Sequence, residues 1–232
     1  YLFLITLGII LLLRGKSYYS LGLYPIYFAF GGYAIQRYFN SFFKYAVIAM
    51  VVLLSLPFIP FSLPVLEHDR MALYSKPTAS FTNRWEDGEI HKIPQDYADM
   101  IGWKELAVSV YAFYEQLPPK EKQNTLIYTD NYGQAGAIRF YKSKTKLPEP
   151  ISFSDNFLLW APDSINANSL IYINDTLGDI QYAYGSCEMV KQVDNEYFRE
   201  DGVKIFYCTQ PRPLLNIFYA DLVEKLKNKY IK

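Results

Sequence analysis

Apolar positions are spread unevenly along this chain. Tyr1 to Leu13 is thirteen apolar or neutral residues in a row, Ser17 to Ile35 is nineteen residues without a charge, and Tyr45 to Leu66 is twenty-two. A helix needs about 20 such residues to cross ~30 Å of hydrocarbon, so the second and third stretches are long enough to span. The first reads as the end of a membrane helix that starts upstream. It is not a secretory signal peptide, which carries its basic stretch before the apolar run, whereas here Arg14, Gly15 and Lys16 follow it. Residues 1–66 are therefore expected to be transmembrane helices closing a larger membrane domain, the first of them truncated. Tyr18, Tyr19, Tyr24, Tyr27 and Tyr33 suit an interfacial belt or a helix inside a bundle. Pro57, Pro60 and Pro64 remove backbone donors and predict that the last helix ends between Leu56 and Ile59, with Pro60 to Leu66 leading out.

The pattern changes at Glu67. Residues 67–99, with Pro77, Pro94 and the polar run Thr82 to Lys92, read as an irregular lead-in. Leu106, Val110, Phe113, Tyr114 and Leu117 then recur at helical spacing, which predicts a helix over Ile101 to Gln116, stopped by Pro118-Pro119. Thr125 to Thr129, Ile151 to Ser154, Ser169 to Ile173 and Lys204 to Cys208 have the length and composition of strands. Helices are expected at Gly133 to Tyr141, Gly178 to Tyr184 and Pro213 to Lys229, the last with Leu214, Leu215, Phe218, Leu222 and Leu226 on one face. Strands alternating with helices argue that residues 100–232 form an α/β domain. The expected fold class is α-helical membrane segments followed by an α/β soluble domain with a largely parallel sheet.

Composition sharpens this division. With 51% apolar and 20% charged residues and no net charge, the chain is neither disordered nor a strongly basic nucleic-acid binder, and no nucleic-acid partner is expected. All 23 acidic residues follow Leu66, together with 19 of the 23 basic ones, a net of −4. The other four, Arg14, Lys16, Arg37 and Lys44, flank the two ends of the middle apolar stretch equally, so positive-inside counting leaves its orientation tied.

Few residues carry an overt chemical signal. Asn131-Tyr132-Gly133-Gln134-Ala135-Gly136-Ala137 lies where a dinucleotide fingerprint would, but has two of its three glycines and no acid closing a second strand. It reads as a tight turn whose small residues let a helix pack closely. His68 and His91, the only histidines, are far in sequence from Cys187 and Cys208, and no spacing suits a metal site. The two cysteines either bridge, if the stretches near Ser186 to Val190 and Lys204 to Cys208 are neighbouring strands, or are two buried thiols. Asn174-Asp175-Thr176 matches a glycosylation sequon, a pattern short enough to arise by chance. Arg14, Lys16, Tyr18 and Tyr19 place two cations and two phenols where a membrane helix begins. Such a cluster either neutralises a lipid phosphate or forms an ordinary snorkelling flank with an aromatic belt.

Three stretches together resemble the C-terminal portion of bacterial glycosyltransferase family 39-like proteins, relatives of the protein O-mannosyltransferases and of the lipid A aminoarabinose transferase. The first is Lys16-Ser17-Tyr18-Tyr19-Ser20-Leu21-Gly22-Leu23-Tyr24-Pro25, similar to that family's loop-to-helix motif. The second runs from Ile93-Pro94-Gln95-Asp96-Tyr97 to Lys104-Glu105-Leu106 and continues through Leu117-Pro118-Pro119-Lys120-Glu121, Asn131 to Ile138 and Leu158-Leu159-Trp160. The third is Ile205-Phe206-Tyr207-Cys208 followed by Pro213 and a basic helix. Gly22 and Ser17 depart from the family, which often has Pro at both places.

The resemblance implies a multi-pass enzyme of the bacterial cytoplasmic membrane, of the GT-C type. It would transfer a sugar from a polyprenyl-phosphate donor to an acceptor (protein, lipid or glycan) outside the cytoplasm. It implies that the 67–232 region is extracytoplasmic and that Arg14, Lys16, Tyr18 and Tyr19 hold the donor's lipid phosphate, where growing negative charge needs cations. The family's carboxylate base lies in an early extracytoplasmic loop, so no catalytic residue is expected in these 232 residues, which should be inactive alone. A divalent metal, if used, would belong to the complete enzyme. The competing expectation is a membrane-anchored α/β binding or sensor domain without catalysis.

Overall fold

The structure, a computed structural model, describes residues 1–13, 17–142, 147–213 and 215–231. It forms two compact units, Tyr1–Val65 and Leu66–Lys232.

In the first unit, helices Leu2–Leu12, Tyr24–Tyr38 and Ser41–Ser55 are joined by short elements. Asn40 starts the third helix by accepting a hydrogen bond from the Phe43 N–H at 3.1 Å, an N-cap that satisfies one orphan donor. Helical backbone then continues through Leu56–Phe58 and Ile59–Ser62, past the expected end. The reason is local: Pro57 and Pro60 each fall in the first turn of a new short helix, where a missing N–H costs nothing. Ser41–Ser62 is thus 22 residues of helix, the one among the described residues long and apolar enough to cross a membrane. Leu2–Leu12 is apolar but shorter. The stretch expected to be one helix from Ser17 is divided, with a 3-10 segment at Ser17–Leu23 and an α-helix only from Tyr24, where Pro25 sits in the first turn.

The second unit is built on a five-stranded sheet of β1 (Thr125–Thr129), β2 (Pro150–Ile151), β3 (Ser169–Asn174), β4 (Tyr184–Val193) and β5 (Val203–Pro211). Their order is β2-β1-β3-β5-β4. β1 runs parallel to β2 and β3, but β5 is antiparallel to both β3 and β4, so the sheet is mixed where a largely parallel one was expected. The difference lies in β4. Its residues Tyr-Gly-Ser-Cys-Glu-Met-Val-Lys-Gln-Val are mostly exposed on an edge strand, which gives a weak apolar pattern. It nonetheless pairs with β5 as an antiparallel hairpin.

One face of the sheet is covered tightly. Ile127, Ile171, Ile173, Val203 and Ile205 are fully buried with Leu106 and Val110 of helix Trp103–Gln116 and Ile138 of helix Tyr132–Lys142. Each such side chain contributes about 1.5–3 kcal/mol by leaving water. Gly102 opens the first of these helices at φ +84, and a Cβ there would lie 2.3 Å from the Phe198 ring, so glycine is needed both for backbone and for space.

Residues 67–99, expected as an irregular lead-in, belong to the second unit, with helices His68–Ser75 and Gln95–Ala98 on either side of an irregular stretch. Helix His68–Ser75 buries Met71, and Ile93, Tyr97 and Ala98 are also buried. Buried Asn83 donates from Nδ2 to Ser75 Oγ and to the carbonyls of His91 and Lys92, while Trp85 stacks on His91 at 3.5 Å. The loop between β4 and β5 reaches across to this segment: Arg199 pairs with Asp99 at 3.0 Å and Glu86 at 3.3 Å, and the Tyr197 hydroxyl donates to Asp69 at 2.7 Å. Polar ties distant in sequence thus build this stretch into the unit.

Candidate functional site

β1 is followed in sequence by β2 on one side of it and pairs with β3 on the other, which makes the carboxyl ends of β1 and β3 a topological switch point. Ligands of open α/β sheets gather at such ends. Here Asp130 and Asn131, the two residues after β1, each line a different cavity.

The larger cavity, about 1050 Å³, lies over the face carrying Leu126, Tyr128, Leu170 and Tyr172, and is bordered by the short helix Ile180–Ala183 and helix Leu215–Ile231. Leu215, Phe218 and Leu222 of the latter, expected on one face, line this cavity together. Phe218 and Leu222 are 66% and 45% exposed, while Val223 is the one buried residue of that helix among the described residues. Leu214, expected on the same stripe, lies outside the described residues.

At the cavity's β3 end the polar groups converge. Asp130 Oδ2 accepts from the Tyr172 hydroxyl at 2.5 Å and from Asn174 Nδ2 at 2.6 Å. Burial first, then the nearby Asp130 carboxylate, raises both the Tyr128 and Tyr172 phenols far above the ordinary tyrosine range. Burial alone pushes Tyr184 up to about 12. These hydroxyls therefore remain protonated, as donors, at any physiological pH.

The smaller cavity, about 560 Å³, is lined by Trp103, Asn131, Tyr132, Gly133, Tyr141 and Glu200 among others. Asn131 Oδ1 accepts from the Gly133 N–H at 2.6 Å and so starts helix Tyr132–Lys142. A Cβ on Gly133 would lie 2.8 Å from the Trp103 ring, in keeping with a close helix contact, whereas Gly136 has open space. Glu200 accepts from Asn131 Nδ2 and Gln134 Nε2, both at 3.1 Å, and burial raises its carboxyl above the usual range. Gln134 Oε1 is buried with no hydrogen-bond partner among the described residues. A carboxyl raised by desolvation in a cleft can hold a proton that an exposed one would lose.

The residues singled out from the sequence lie elsewhere. Arg14 and Lys16 fall outside the described residues. Tyr18 and Tyr19 are 53% and 59% exposed, their rings edge to face at 4.7 Å. Cys187 and Cys208 face each other across β4 and β5 and form a disulfide. Among the described residues no three His, Cys, Asp or Glu side chains converge as metal ligands. Sequence reasoning missed Asp130, Tyr128, Tyr172 and Glu200, and noticed Asn174 only as a sequon. Alternation along β1 and β3 would have put Leu126, Tyr128 and Asp130 on one face with Leu170, Tyr172 and Asn174. No local signal marks Glu200, which sits in the charged run Arg199-Glu200-Asp201.

This chain matches no protein-family model, no curated protein and no solved structure.

Proposed function

We propose that this chain is the C-terminal part of an integral-membrane glycosyltransferase that moves a sugar from a polyprenyl-phosphate donor to an extracytoplasmic acceptor. The observation that carries this reading is the succession of a 22-residue membrane-competent helix, Ser41–Ser62, and a disulfide-closed α/β unit. Disulfides persist in oxidising compartments, which supports an extracytoplasmic unit following a helix in the cytoplasmic membrane of a bacterium. The sequence resemblance supplies the chemistry. Arg14, Lys16, Tyr18 and Tyr19 would neutralise the phosphate left when the sugar departs, while a carboxylate elsewhere in the complete enzyme takes the acceptor's proton. The exposed phenols of Tyr18 and Tyr19 are compatible with a lipid headgroup partner.

The test is transfer of radiolabelled sugar from polyprenyl phosphate in membranes containing the complete gene product. Lys16→Ala with Tyr18→Phe is expected to lower transfer at least about tenfold, the loss of roughly one charge-assisted hydrogen bond. Undiminished transfer, or none in the parent, would overturn the reading. A second reading, a membrane-anchored binding domain without catalysis, is favoured by the large apolar cavity, and predicts ligand binding with no transfer at all.

A further inference from the structure

We propose that the larger cavity is a binding site for a neutral single-chain amphiphile, with its apolar body over Leu126, Leu170 and Leu222 and its hydroxyl head on Asp130. The site does not depend on the transfer chemistry proposed above.

At about 1050 Å³ the cavity is at the upper end of the ~300–1,000 Å³ range of small-molecule sites, more room than one polar head fills. Its walls are aliphatic and aromatic, so a purely polar ligand would leave them wet. Phe218 and Leu222, 66% and 45% exposed, extend that apolar surface outward.

The polar groups are confined to the ends. Ser169 pairs with Thr209 and Asn174 with Lys204, so Arg212, just beyond β5, lies at the start of β3 while Asp130 and Asn174 lie at its finish. Six residues of strand separate the two ends by about 20 Å. At the Asp130 end, Tyr172, Asn174 and the carboxylate already meet within hydrogen-bond distance, which presents an ordered acceptor to an incoming hydroxyl. Asp175 is close enough to Tyr172 to influence it, whereas Asp179, which also lines the cavity, opens the helix Ile180–Ala183 whose last carbonyl accepts from the Arg212 N–H. The Asp130 carboxylate, with Asp175 nearby, repels a carboxylate or phosphate head there. Arg212, which has no ion pair among the described residues, is where an anionic head would go instead, and the two ends therefore make opposite demands on the ligand.

The experiment is photoaffinity labelling of the full chain in phosphatidylcholine nanodiscs with diazirine-bearing hexadecanol, compared with the matching hexadecanoic acid, followed by mapping of labelled peptides. The alcohol is expected to label peptides holding Leu126, Leu170 and Leu222 about tenfold more than the acid does, the ratio that one hydrogen bond to a charged group supplies. Asp130→Ala should lose that preference. Leu222→Trp, at a half-exposed position where the larger ring fills the cavity without disturbing the core, should abolish labelling with an unchanged denaturation midpoint. Arg212→Ala should leave labelling as it is. Equal or stronger labelling by the acid, dependence on Arg212, or alcohol labels confined to residues 1–65 would overturn the proposal.

Discussion

The two faces of the sheet are built from the same strands and differ in what covers them. On one, Ile127, Ile171, Ile173 and Ile205 are fully buried against two helices. On the other, Leu170, Tyr172, Phe206 and Cys208 are buried but Leu126 and Tyr128 only partly, and a cavity remains below helix Leu215–Ile231. Residues one apart in a strand thus serve different ends, packing on one side and an accessible apolar recess on the other. The closed face should hold the stability of the unit, and the open face should tolerate change.

That contrast is breakable by truncation. Ile171→Ala, at the centre of the closed face, is expected to destabilise the unit by about 2–5 kcal/mol through lost burial and the cavity left behind. All three tryptophans, Trp85, Trp103 and Trp160, lie in this unit, so their fluorescence during denaturant unfolding reports on it alone. A loss below 1 kcal/mol would mean that the closed face is not where the stability resides.

Next in size is the disulfide. Cys187 and Cys208, 21 residues apart, close a loop whose constraint on the unfolded chain is worth about 3 kcal/mol. Replacing both by Ser should lower the unfolding free energy by about that amount, and the difference should disappear when both proteins are measured in reductant. Glu200→Gln should act in the other direction. Its carboxyl is raised in the folded protein, so the stability it contributes is full below the ordinary Glu range and declines as pH rises through the raised value. The amide cannot ionise, and it keeps a hydrogen bond to Gln134 once that side chain turns to present Oε1 in place of Nε2. A gain of about 1 kcal/mol at pH 7 that vanishes near pH 4 is expected, and an equal effect at both pH values would contradict it. The smallest effect belongs to the open face, where Leu222→Ala should stay within about 0.5 kcal/mol in the same unfolding assay.

Much of the closed face was legible in the sequence. Leu106, Val110 and Tyr114 recur at helical spacing and are buried on helix Trp103–Gln116, and Thr125 to Thr129 is β1 to the residue. Periodicity reports packing against a continuous core, and these segments have one. The one-sided apolar stripe of helix Leu215–Ile231 was equally legible, but such a stripe looks the same in sequence whether it meets side chains or an empty recess. Residues 67–99 looked loose because Asp69 and Asp99 find their partners, Tyr197 and Arg199, 128 and 100 positions away in sequence. The cavity itself draws on β1, β3 and two helices at once, so no single window of sequence announces it.

The measurement that bears most directly on the proposed extracytoplasmic transferase is the redox state and sidedness of Cys187 and Cys208 in intact cells expressing the protein. A membrane-impermeant maleimide should label neither cysteine at first and both after mild reduction and denaturation at the outer face. Free thiols reached only once the cytoplasmic membrane is opened would put the α/β unit on the wrong side for the proposed transfer.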